Sequence, residues 1–144
     1  MSKRVSHSRL VSQVCRKLGQ RAEARGLESL SSAERTALLV WWSKGIIDNG
    51  GFEYFYEGTT NAAEVADAYE KLGLISAAEA FRQSLLFFPP DVIEKGYEAC
   101  REWMARYSED ERTLHFGKLN STVWNLDLSD SLAEYIRKNS SQLT

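Results

Sequence analysis

Two adjacent glycines, Gly50 and Gly51, interrupt the most apolar part of this chain, in the run I-I-D-N-G-G-F-E-Y-F-Y from Ile46 to Tyr56. Glycine has no Cβ, so the backbone can reach positive φ and turn sharply at either position. Asn49 just before them tolerates a left-handed conformation, or caps the next turn through its side chain. Phe52, Phe55 and Tyr56 then fall at i, i+3 and i+4, which is one face of a helical turn. The expectation is a structural corner, in which an apolar helix ends and three rings wedge between neighbouring helices.

The segments on either side read as helices. The first is expected from about Ser8 to Arg25, with Val11, Val14, Cys15, Leu18 and Ala22 as its apolar stripe and Gly26 as its stop. Ser31 and Glu34 form a capping box opening a helix that turns Leu38, Leu39, Trp42 and Ile46 inward, with Val40, Trp41 and Ile47 widening the apolar surface. Asn61 with Glu64, and Ser76 with Glu79, suggest two further boxed helices, the second stopped by Pro89 and Pro90. Asp91 is expected to cap a longer helix carrying Ile93, Tyr97, Cys100, Met104 and Tyr107 in register. A short helix from about Glu109 to Phe116 follows, then an irregular bridge over 120–127 pinned by Trp124, and a last helix from near Ser129 that presents Leu132, Tyr135 and Ile136. Sustained period-two alternation is missing, so the fold class expected is all-α, a compact bundle of about six to eight helices without a sheet.

At 144 residues the chain suits a single domain, with a basic leading helix over 1–30, a core over 31–139 and a polar tail over 140–144. No apolar run approaches the ~18 residues needed to span a bilayer, and polar residues follow Lys3 and Arg4 where a signal peptide needs an apolar stretch. Cys15 and Cys100 stand in unrelated segments, each among apolar positions, and read as buried free thiols in a reducing, cytoplasmic setting. The net charge of −2 conceals an asymmetry: residues 1–30 hold seven Lys/Arg against Glu23 and Glu28 (+5), and the remainder holds eleven against eighteen acids (−7).

The run from Asp48 to Tyr56 resembles the N-G-G-F-x-x-[FY]-[FY] signature of the DNA-mimic protein family, a small bacterial domain of largely unassigned function. The L-G-L-I-S-A-A-E-A-F stretch from Leu72 to Phe81, the F-F-P-P helix stop at Phe87 to Pro90 and the ending from Leu128 to Ile136 resemble it too. The resemblance implies an all-helical, non-enzymatic interaction domain, and in one branch an acidic surface that occupies a DNA-binding protein. A homodimer is also compatible with it, with Trp41 and Tyr54 as interface aromatics.

No catalytic, cofactor or metal site is read from the chain. His7 and His115 are far apart, outside any ligand spacing, and read as surface histidines. Gly50-Gly51 lacks the phosphate-loop continuation. The carboxylates carry more information: Asp48, Glu53 and Glu57 bracket the corner, and Glu94, Glu98 and Glu102 repeat every four residues. Rows of carboxylates can stand in for phosphates in a basic groove. Arg9, Arg16 and Lys17 lie off the apolar stripe of the first helix as a candidate basic surface, without the interleaved aromatic or Asn/Gln/Ser groups that nucleic-acid contact calls for. The expected function is therefore docking of an acidic surface on a basic DNA-binding protein. The alternatives are an immunity or antitoxin-like inhibitor of a toxin, and nucleic-acid binding through the basic first helix.

Overall fold

The computed structural model describes the backbone of residues 3–143 and the side chains of residues 7–143; Lys3, Arg4 and Thr144, counted above with the basic segment and the polar tail, lie outside the described side chains. The helices are α1 (Lys3–Arg25), α2 (Ser32–Tyr56), α3 (Ala62–Lys71), α4 (Ile75–Leu85), α5 (Pro90–Lys95), α6 (Tyr97–Met104), α7 (Glu109–Trp124) and α8 (Ser129–Lys138). Among the described residues there is no strand, and the all-α expectation holds. The described residues form two compact units, one from residues 3–42 with 127–143, the other Ser43–Leu126.

In the first unit α1 packs against α8. Val11, Cys15 and Leu18 from α1 and Leu132, Ala133 and Ile136 from α8 are buried. The Ser31 box forms as expected: the Glu34 N–H donates to Ser31 Oγ at 3.1 Å, and the Ser31 N–H donates to Glu34 Oε1 at 2.8 Å. Glu34 is only 2% exposed, and its other oxygen accepts from Arg21 at 2.8 Å. A carboxylate so far from water needs such donors, because an unpaired buried charge costs several kcal/mol. His7 is a correction to the surface reading, being 7% exposed between α1 and α8. Its Nδ1 lies 2.6 Å from Asp130 Oδ1 and its Nε2 lies 3.0 Å from Arg137 Nη1. A guanidinium can only donate, so Nε2 accepts and Nδ1–H donates to Asp130.

The second unit is built on rings. Phe81 of α4 lies 4.9 Å from Phe52, 5.5 Å from Phe55 and 5.1 Å from Tyr69, centroid to centroid. Phe116 of α7 extends the cluster to Phe87 at 4.8 Å, and Phe88 reaches Tyr56 at 4.6 Å. Most of these pairs are edge-on or tilted, the arrangements the ring quadrupole favours. Ser84 donates to the Phe81 carbonyl at 2.6 Å, so its oxygen accepts from Tyr56 O–H at 2.7 Å, and that buried hydroxyl is satisfied inside the cluster.

Several boundaries differ from the sequence reading. α1 starts at Lys3, ahead of the expected Ser8. Asn61 makes no side-chain cap bond, and its Oδ1 accepts from Thr59 instead. α4 starts at Ile75, because the Leu74 N–H turns back onto the Tyr69 carbonyl, so Ser76 falls inside the helix and caps nothing. The expected long helix from Asp91 is two helices divided by Gly96, at φ 107 and ψ −175, a conformation no side chain adopts cheaply, and its N-cap is Pro89. Trp42, expected inward, is 37% exposed.

Replacing His7 by Ala removes the Asp130 and Arg137 contacts, whose other partners are exposed and can turn to water, and should lower unfolding free energy by roughly 0.5–1.5 kcal/mol. Chemical denaturation of both proteins measures this, and identical midpoints would refute the tie between α1 and α8.

Candidate protein-interaction surface and the glycine corner

The corner is sharper and better supported than a run of residues can show. α2 carries one non-helical residue, Gly51 at φ 72 and ψ −169, so the chain bends there and starts a fresh helical turn at Phe52. Gly50 keeps helical backbone but needs its missing Cβ for space. An added Cβ would stand 2.5 Å from Tyr54 Cβ, and at Gly51 one would stand 2.7 Å from Asn120 Nδ2. Phe52, Phe55 and Tyr56 are buried beyond the bend, while Asn49 and Gly50 face solvent.

α7 holds the corner through residues four apart. Arg112 Nε lies 3.5 Å from Glu53 Oε2. Phe116 stacks on Phe52 at 6.2 Å. Asn120 Oδ1 accepts the Phe52 N–H at 2.8 Å, and the Trp124 indole donates to the Ile47 carbonyl. Fourfold spacing places all of them on one helix face. The sequence reading ended this helix at Phe116 and treated 120–127 as irregular; α7 runs on to Trp124. Two signals for it were present: the Ser108–Glu111 capping box, which forms fully, and the Arg112, Phe116, Asn120, Trp124 spacing itself. The Ser108 N–H and hydroxyl hold the Glu111 carboxyl below the usual carboxylate range.

The acidic residues divide by whether the fold uses them. Asp48 is taken by Lys44 at 2.6 Å, and Glu53 by Arg112. Asp67 and Glu70 share Arg82 at 3.0 and 2.7 Å. Glu57, Glu94, Glu98, Glu102, Glu109 and Asp110 are exposed and carry no ion pair among the described residues. The expected row of three on one helix is corrected by Gly96: Glu94 stands on α5, and Glu98 and Glu102 stand one turn apart on α6. The unit Ser43–Leu126 holds eight Lys/Arg against fourteen Asp/Glu, a net of −6, and the other unit holds ten against six, a net of +4. Arg9, Arg16 and Lys17 are exposed on α1.

Both thiols are buried, as expected. Burial pushes the Cys15 thiol up to about 12 and the Cys100 thiol up to about 11. Such thiols stay protonated and are poor nucleophiles. Among the described residues no group of three or more His, Cys, Asp or Glu is placed to hold a metal ion. No helix there is long and apolar enough to cross a membrane.

The chain belongs to the DMP19-like protein family, whose model matches residues 28–139. That family is one of DNA-mimic proteins and is not a known enzyme family. No curated protein and no solved structure matches the chain.

Two outcomes follow from the glycines and the thiols. Gly51→Ala should cost more than ~1 kcal/mol through strain at positive φ, and Gly50→Ala should also destabilise through the Tyr54 clash. Gly45→Ala, in the same helix with open space around it, should instead stabilise by roughly 0.5–1 kcal/mol. Thermal melts of the three variants check this, and a common sign would refute it. The thiols, protonated in the native state, favour folding below about 9, and that contribution drains as pH rises through about 11 to 12. Alkylation at pH 8 should therefore be slow for the native protein and fast for both thiols in denaturant.

Proposed function

We propose that this protein is a non-enzymatic, cytoplasmic interaction module that docks an acidic surface on the basic face of a DNA-binding protein and so regulates it. The observation that carries this reading is the group of exposed carboxylates that the fold leaves unpaired, within a family of DNA mimics. Carboxylates already engaged, such as Asp48, have given up most of their field to a neighbouring cation. Glu94, Glu98 and Glu102 have not, and a basic groove that accepts phosphates would accept them. Arg101 and Arg106 are interleaved on α6 and just beyond it, and Arg106 is drawn over the Trp103 ring at 4.8 Å, which leaves the acids less screened.

Attraction between exposed charges is screened over about 10 Å at 0.1 M salt. Capture of a stoichiometric basic partner from lysate should therefore weaken as salt rises. Glu94→Lys, Glu98→Lys and Glu102→Lys combined should abolish capture without changing the helical content seen by circular dichroism. Capture that persists through the triple reversal and at high salt would overturn the proposal, and a toxin as the partner would favour an immunity-type role.

A further inference from the structure

We infer that the outward face of α1 is a second binding surface, one for the phosphate backbone of duplex DNA. α1 contains seven Lys/Arg and a single acid, Glu23. Its inner face is consumed by packing, with Val11, Cys15 and Leu18 buried, and Arg21 is consumed by Glu34. Opposite that inner face stand Arg9, Gln13, Arg16, Lys17 and Gln20, all exposed. Arg9, Arg16 and Lys17 have no hydrogen bond or ion pair among the described residues. The two glutamines correct the sequence reading, which found no amide interleaved with these cations. Arg, Lys and Gln side chains are the usual donors to phosphate oxygens.

The stripe runs about 16 Å along a rigid helix at 1.5 Å per residue, so its donors are presented in fixed register. Single-stranded nucleic acid is recognised by stacking on exposed rings, and α1 contains no Phe, Tyr or Trp. Backbone contact to a duplex needs no such ring. The choice of DNA over RNA rests on the proposed function, whose partner works on duplex DNA; the phosphate contact itself stands on α1 alone. α1 lies ahead of residues 28–139, the part of the chain that the family model matches.

Anisotropy of a labelled duplex DNA titrated with the full-length protein tests this. Three phosphate contacts give a slope of log affinity against log salt of about −2.7, or about 40-fold weaker binding between 50 and 200 mM. Arg9→Ala, Arg16→Ala and Lys17→Ala combined should remove the binding, with helical content retained because all three are solvent-facing. Absent duplex binding at low salt, unchanged binding by that variant, or tighter binding of single strands or duplex RNA would overturn the inference. The Glu94, Glu98, Glu102 reversal separates the two surfaces: it should lose the protein partner while still binding DNA, and loss of DNA binding in it would also count against α1.

Discussion

Gly51 turns the chain, and just beyond it the Phe52 N–H donates to Asn120 Oδ1 at 2.8 Å. A buried backbone donor left alone costs roughly 1–3 kcal/mol, so the bend and the placement of α7 are mutually dependent. The bend directs Phe52, Phe55 and Tyr56 into the rings of α4 and α7, and those rings fill the interior of the unit. Asn120 occupies the space a side chain at position 51 would need. One missing Cβ therefore serves conformation and close packing together.

Charge is used in two ways that differ by burial. Glu34 is nearly sealed from water and receives donors from Ser31 and Arg21, since an isolated carboxylate there would be untenable. The exposed carboxylates of α5, α6 and the start of α7 face solvent, where their self-energy is small and no internal partner is required. Unpaired surface acids contribute little to the fold, so their identity is free to answer to a partner. The same holds on α1, where Arg21 is structural and Arg9, Arg16 and Lys17 are not.

The helical fold was legible because apolar spacing, the Ser31 box and the proline pair are local signals, and each acts in the structure as its chemistry dictates. Gly51 was legible as one of two candidates; selecting it required Asn120, some seventy residues on. The box at Ser76 misled because the same residue pattern occurs inside helices, where a tight preceding turn has already fixed the start; Asn61 does stand at the start of α3, but its side-chain oxygen is taken by the Thr59 hydroxyl. Gly96 was passed over because a lone glycine within an apolar register is compatible with an unbroken helix, at a cost of about 1 kcal/mol. His7 looked like a surface residue because its partners Asp130 and Arg137 lie at the other end of the chain. Which acids are engaged was legible only where the cation sits one turn away, as Lys44 does from Asp48; Glu53, Asp67 and Glu70 are answered by Arg112 and Arg82, cations brought close only by folding.

The basic segment is more than an appended charged tail, although the family match begins after it. His7 ties it to α8, Cys15 lies 3.9 Å from the Ala37 carbonyl, and Arg21 closes on Glu34. A disordered basic arm must be immobilised when it binds, which costs roughly 0.5–1.5 kcal/mol per long side chain and more for its backbone. On α1 folding has already fixed the backbone, leaving only the side-chain share. The opposite charges of the two units thus reside on ordered helices, and each is held by contacts that leave its outward face free.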